Sequence, residues 1–342
     1  MKYIKNSFKG LKPYHSSLIT DGIILNANES PYNPPKVIID EFKKEVEKIE
    51  FNRYPDMDER ELCHSIAKRF NVNDNNVTIG VGSDELLDCV FRAVIDNGDK
   101  VVSFSPSFSM YKVFTELVGG EFVGVYGDDF KFNVDDMISS IKNNNPKLVL
   151  ICLPNNPTGG FLSEKDVRRI IEATSGLVLL DLAYIDFSGY DYTNIALEYD
   201  NVISFRTFSK AMSLPSIRCG YAISRDFNID MINSIKAPYS VTTMSQIMAR
   251  IANDHFDLYK EQIDLIISER ERLYNNLLDL GFKVYPSKAN FIFVIMDDKY
   301  NDILLENKIY IRKFKENTYR ITVGSQKEND TLIEVLKCAK QN

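Results

Sequence analysis

The residues best placed to do chemistry lie between Val202 and Tyr221, in the stretch VISFRTFSKAMSLPSIRCGY. A short apolar run of strand type passes through Thr207 and Ser209 to Lys210, and Arg218 follows eight residues after the lysine. An amine just past a strand end can form a Schiff base, while flanking hydroxyls and a guanidinium can hold a phosphate. Together they suit a cofactor that carries both an aldehyde and a phosphate, as pyridoxal phosphate (PLP) does.

Three further stretches supply what such a site needs. LLDLAYIDF places Asp181 at the end of an apolar strand with Tyr184 three residues on. A carboxylate there can keep a pyridine nitrogen protonated, and a phenol can hydrogen-bond a ring oxygen. In LPNNPTGG, Asn156 can donate to the same oxygen. GVGSDELLDCVFRAV reads as strand, glycine-rich turn and helix start, so the Ser83 and Asp84 amides face an anion at the positive end of a helix. Phe108, at a strand-to-helix junction in SPSFSMYKVF, can stack on a pyridine face.

The elements that position these residues alternate. Apolar spacing predicts a helix over 36–49 and another over 58–70, then strand 77–81, helix 83–95, strand 100–104, helix 108–118 and strand 121–126. Helix 134–142, strand 148–153, helix 164–173, strand 177–181 and strand 202–205 continue the pattern. It implies a largely parallel sheet with helices on both faces and a ligand site at the C-terminal strand ends. From 229 to 280 the chain reads as mostly helical, and the remainder as a smaller α+β unit. The expected organisation is an N-terminal arm and part of a small domain over 1–50, a large PLP-binding domain over 51–240, a connecting helical region over 241–280 and a small C-terminal domain over 281–342.

At 342 residues the chain is long enough for one large and one smaller domain. A net charge of −7 argues against a nucleic-acid partner, so any anion must be held locally. The five cysteines form no CxxC pair and the three histidines are scattered, which points away from a metal site and towards a reducing cytoplasm. No run of about eighteen apolar residues occurs, so a membrane span is not expected.

NNPTG, DxAY, SFRTFSKA and RxGY arrive in the order and spacing of the fold-type I PLP-dependent aminotransferases, which the chain resembles. LNANESPY, RYPD, GSDEL, PSFSMY, APYSVTTMSQ, PSKANF and RITVG narrow the resemblance to the histidinol-phosphate group of that family. The resemblance implies a large domain with a mostly parallel, seven-stranded type of sheet and a smaller α+β domain. It makes Lys210 the lysine that links the cofactor, Asp181 the partner of the pyridine nitrogen, and Asn156 and Tyr184 the donors to the ring oxygen. Ser83, Asp84, Ser209 and Arg218 match phosphate contacts, with Thr207 nearby. Tyr54 matches a tyrosine that reaches the neighbouring subunit's cofactor phosphate, which implies a homodimer with shared active sites. Arg320 matches the arginine for the substrate carboxylate, Arg312 and Tyr14 lie where the group handles the substrate phosphate, and Asn28 lines the substrate pocket. The implied reaction passes an amino group from histidinol phosphate to 2-oxoglutarate, giving glutamate. A threonine-phosphate decarboxylase and an aminotransferase for aromatic or other amino acids are the alternatives within the same scaffold, and a PLP-sensing regulator is the one outside catalysis. The chain departs from the pattern at Leu182, where an acidic residue is usual, at SLPSI after the lysine, and in the short interval from Arg312 to Arg320.

Overall fold

The computed structural model describes residues 19 and 21–341. In chain order they form β1 (Ile23–Leu25), α1 (Lys36–Val46), α2 (Arg60–Phe70), β2 (Val77–Gly80), α3 (Gly82–Val94), β3 (Lys100–Ser105), α4 (Met110–Val118), β4 (Glu121–Tyr126) and α5 (Val134–Asn144). Then follow β5 (Leu148–Cys152), α6 (Glu164–Glu172), β6 (Leu177–Asp181), α7 (Ile195–Glu198), β7 (Val202–Thr207), β8 (Gly220–Ile223), α8 (Asp226–Ile235), α9 (Thr243–Asp254) and α10 (Lys260–Asp279). The chain ends with β9 (Lys283–Tyr285), β10 (Phe291–Ile295), α11 (Asp298–Glu306), β11 (Ile309–Lys315), β12 (Thr318–Thr322) and α12 (Gln326–Gln341).

The larger sheet has seven strands in the order β2-β8-β7-β6-β5-β3-β4. Only β8 runs against its neighbours; the other pairings are parallel. Its central strands are apolar almost throughout because both faces are covered. On one face Val149, Ile151, Val178 and Leu180 pack with Val167, Ile170 and Ile171 of α6. On the other, Leu148, Leu150, Leu179 and Ile203 pack with Leu86, Leu87 and Val90 of α3. The strict alternation along β5 assigns successive residues to opposite cores. This is the mostly parallel sheet that the alternating pattern predicts.

The smaller sheet has the order β1-β11-β12-β10-β9, with β1 parallel to β11 and the rest antiparallel. A third core joins it to α2, α9 and α10, with Tyr259, Leu273, Leu277, Phe291 and Ile321 among its buried side chains. Three-residue β1 is short for an independent strand, yet it delivers the segment 26–29 between the two sheets. The alternation of apolar residues finds no role for that segment; its position follows from β1 pairing with β11, almost three hundred residues away in sequence.

Candidate active site

Because β2, β3, β5, β6 and β7 run in the same direction, the loops after them open at one edge of the sheet. Two adjoining cavities lie there, of about 250 and 650 Å³. Both are lined by Ala27, Asp84, Phe108, Asn156, Tyr184 and Lys210. The smaller adds Ser83, Asp181, Thr207, Ser209 and Arg218, and the larger adds Asn28, Arg312, Phe314 and Arg320.

Lys210 sits three residues past β7, and its Nζ donates to the carbonyl of Ala27 at 2.9 Å. Burial, and after it the like charge of Arg320, lowers its pKa to about 8, with Glu29 and Asp84 opposing. At neutral pH this amine is therefore much closer to its neutral form than an exposed lysine.

Asp181, the last residue of β6, is buried and has both oxygens engaged. Oδ2 accepts from the Tyr111 hydroxyl at 2.6 Å and Oδ1 from the Ala183 amide at 3.1 Å. Burial nevertheless raises its pKa to about 6, because those two hydrogen bonds only partly offset desolvation. A cation in the smaller cavity would find a carboxylate still short of a positive partner.

Two amides converge on the Tyr184 hydroxyl: Asn28 Nδ2 at 2.9 Å and Asn156 Nδ2 at 3.4 Å. Burial pushes the phenol upward, so it stays protonated. The other side of Asn156 is occupied by Arg320, whose Nη1 donates to Oδ1 at 2.6 Å, while Arg320 Nη2 donates to the Asn26 carbonyl at 2.8 Å. Arg312 stands opposite Arg320 across β11 and β12.

The start of α3 forms an anion cradle. The helix begins at Gly82, one residue earlier than the apolar spacing predicts. Gly82 has φ +74°, and a Cβ there would lie 2.8 Å from Arg218 Nη2. A Cβ on Gly220 would lie 2.4 Å from the Ser83 amide nitrogen. Glycine at both positions lets a guanidinium and a helix N-terminus share one small space. Thr207 Oγ1 accepts from the Ser209 amide at 3.0 Å, turning the loop so that both hydroxyls line the cavity. Arg218 also lies 3.5 Å from Asp84, whose own pKa burial raises.

These residues fit PLP by their chemistry: a cationic and amide cradle for the phosphate, a buried carboxylate for the pyridine nitrogen, and an amine depressed towards neutrality. Phe108 lines the cavity edge-on to Tyr111, with centroids 5.5 Å apart.

Of the residues singled out in the sequence, all but two line these cavities. Tyr54 does not; it is 82% exposed and stacks on Tyr239 with ring centroids 4.8 Å apart. Tyr14 lies outside the described residues. Sequence reasoning missed Tyr111, which is fully buried beneath Asp181, although it stands in the quoted PSFSMY stretch. A buried phenol needs a partner, and that requirement is the only signal that could have marked it. It also missed Phe314 and the carbonyls of Asn26 and Ala27, for which one-dimensional pattern holds no signal.

Residues 20–336 match the family model described as aminotransferase class I and II, and this chain belongs to that family. It is a transaminase by membership. More narrowly, it is 36% identical to a histidinol-phosphate aminotransferase of Thermoanaerobacter pseudethanolicus, over 98% of this chain and 97% of the relative. It is 35% identical to one of Pyrococcus furiosus over 95% of both. In fold it is similar to the histidinol-phosphate aminotransferase of Sinorhizobium meliloti solved in complex with pyridoxal-5'-phosphate, with a TM-score of 0.90, 23% identity and 99% of each chain covered. The enzyme of Clostridium acetobutylicum superposes with a TM-score of 0.86 at 22% identity, over 94% of this chain and 99% of the other.

Proposed function

We propose that this chain is a PLP-dependent histidinol-phosphate aminotransferase, moving the amino group of histidinol phosphate to 2-oxoglutarate and so forming glutamate. The observation that carries the reading is the wall the two cavities share: Lys210, Asn156 and Tyr184 line both the one that holds Asp181 and the one that holds Arg312 and Arg320. The relatives named above support the choice of substrate.

When bound, PLP supplies an aldehyde that takes up amino groups and a ring that withdraws electrons from the carbon beside them. The chain's own residues supply the rest. Ser83, Asp84, Ser209, Thr207 and Arg218, which line the smaller cavity, would hold the phosphate. Asp181 would keep a proton at the pyridine nitrogen, and Tyr184 and Asn156 would donate to the ring oxygen. Lys210, with its pKa lowered to about 8, takes the proton from the substrate's reacting carbon and returns it. Arg320 and Arg312 bind the far end of each substrate, because a guanidinium fork accepts a carboxylate or a phosphate in the same bidentate way.

Tyr54 and the Tyr239 ring stacked on it are both exposed, as are Phe51 and Met57 close by in sequence. We assign this surface to a second copy of the chain, with Tyr54 reaching the partner's cofactor phosphate. Sedimentation should find a dimer, and an active monomer would refute the assignment. The four buried cysteines and the exposed Cys338 are all unpaired, which supports work in the reducing cytoplasm. Among the described residues no helix is long and apolar enough to cross a membrane, and no side-chain cluster could hold a metal.

Histidinol phosphate with 2-oxoglutarate should yield glutamate in stoichiometric amount. Carbon dioxide released from threonine phosphate, with no glutamate from any donor, would transfer the chain to the decarboxylases.

A further inference from the structure

Asn28 is expected to touch substrate, yet it is only 1% exposed and its polar groups are taken by the protein. It follows β1 with φ 55°, a left-handed conformation that asparagine tolerates better than most residues. Its amide nitrogen donates to Thr322 Oγ1 at 2.9 Å, and its carbonyl accepts from Asn290 Nδ2 at 3.0 Å. The Thr322 hydroxyl, having accepted from that amide, sends its own hydrogen to Asn28 Oδ1 at 3.2 Å. This settles which end of the side chain faces where: Oδ1 towards β12, Nδ2 towards Tyr184.

Asn156 is oriented by the same logic. Arg320 occupies its Oδ1, so its Nδ2 faces the phenol. Tyr184 thus receives N–H groups from two directions, at 2.9 and 3.4 Å. A hydroxyl that accepts twice must point its hydrogen elsewhere, and the side left open is the cavity that Tyr184 lines.

We infer that Asn28 is a positioning residue: by donating to the Tyr184 oxygen it keeps the phenol hydrogen directed into the cavity, available to an anionic oxygen there. The inference rests on the PLP reading, in which that oxygen belongs to the cofactor ring. It also explains how one residue can tie the edge of the large sheet to the small one. Tyr184 follows β6, Thr322 ends β12 and Asn290 precedes β10, and all three meet on Asn28. The two preceding carbonyls, of Asn26 and Ala27, receive Arg320 and Lys210, so the backbone that presents Asn28 is itself anchored at the site.

The test uses the full-length protein loaded with PLP and follows the absorbance of the bound cofactor against pH. Asn28→Asp keeps size, Oδ1 and tolerance of the left-handed backbone, but replaces the donor by an oxygen that captures the phenol hydrogen. The ring oxygen then loses a donor and gains a negative neighbour; both changes hold a proton more tightly on the adjacent nitrogen, so the midpoint should rise by about one pH unit. Asn28→Gly removes the donor without adding charge and should shift it in the same direction by roughly half as much. Arg320, Asp181 and Cys152 also act on the phenol, Lys210 Nζ lies 5.8 Å from its ring centroid, and Glu29, Asp84 and Arg218 act on Lys210. None of them changes in these variants. In a Tyr184→Phe background the Asn28→Asp shift should fall to about a third or less, because residues acting through one another are not additive.

A midpoint unmoved in both Asn28 variants, with KM for histidinol phosphate raised and kcat kept, would make Asn28 a substrate contact and overturn the inference. So would an undiminished shift in the Tyr184→Phe background, which would reduce the effect to charge alone. If Asn28→Asp does not fold, Asn28→Gly with and without Tyr184→Phe makes the same comparison. A wild-type protein without a cofactor band would overturn the PLP reading and this inference with it, whereas a wild-type band with unmoved variants overturns the inference alone.

Discussion

The two ends of the site are built by different means. At the proposed phosphate and ring end, Ser83 at the start of α3, Asp181 at the end of β6, and Asn156, Lys210 and Arg218 in loops all gather at one edge of one sheet, where the strand order brings them within reach. At the proposed substrate end, Arg312, Phe314 and Arg320 come from an antiparallel pair in the other sheet and line the larger cavity together with segment 26–28, whose Asn26 carbonyl Arg320 bonds directly. The first end therefore tolerates no change of chemistry but is robust to small shifts of packing. The second is sensitive to how the two sheets dock, which makes it the natural place for substrate choice to vary.

The largest effect expected from this contrast belongs to Lys210 at the ring end. Lys210→Ala should lower turnover by about four orders of magnitude, the upper range for losing a general acid and base, with far-ultraviolet circular dichroism unchanged. A borohydride-trapped adduct at another lysine would break the assignment.

Asp181→Asn should come next, with kcat down roughly a thousandfold through loss of the charge proposed to face the pyridine nitrogen. It carries a second, opposite consequence. The folded protein holds the Asp181 proton up to about pH 6, whereas an unfolded chain releases it near 3.8. Stability from this group is thus fully present below the lower value and lost as pH rises through the upper one, by up to about 3 kcal/mol. Cofactor-free Asp181→Asn should therefore melt higher than wild type at pH 7 and at a similar temperature near pH 3.5. A variant that melts lower at both pH values would make the carboxylate a structural element.

At the substrate end the effects should be smaller and should divide between substrates. Arg320→Ala should weaken glutamate on the order of a hundredfold, more than histidinol phosphate, and also lower kcat because Asn156 loses its partner. Arg312→Ala should raise KM for the phosphorylated amine at least as much as for glutamate. Equal losses for both substrates in both variants would erase the distinction.

Tyr111→Phe is expected to have the mildest effect, about threefold to tenfold in kcat, the worth of one hydrogen bond of ordinary net strength that acts on the reaction only through Asp181. It should also move the Asp181 titration upward, since that bond opposes the effect of burial. A downward shift, read as the pH dependence of melting in the cofactor-free protein, would show that Tyr111 does not hold the carboxylate.

Much of this protein was legible in one dimension, and the reason is local. The runs Leu148–Cys152 and Leu177–Leu180 are continuously apolar because parallel strands are covered on both faces, so their positions, and hence the strand end carrying Asp181 and the loop carrying Asn156, can be read from composition alone. Gly82, Lys210 and Arg218 are equally plain, because a glycine turn and a cationic cradle need particular residue types at short spacing. Tyr111 was passed over because nothing in a helical pattern distinguishes a core phenol from one that bonds a carboxylate. Asn28 was recognised as belonging to the site but not for what it holds, since its partners Tyr184, Asn290 and Thr322 lie 156, 262 and 294 residues away. Contacts of that kind depend on two sheets packing around a short parallel strand, so hydrogen-bond direction at the centre of the site was decided by the tertiary structure alone.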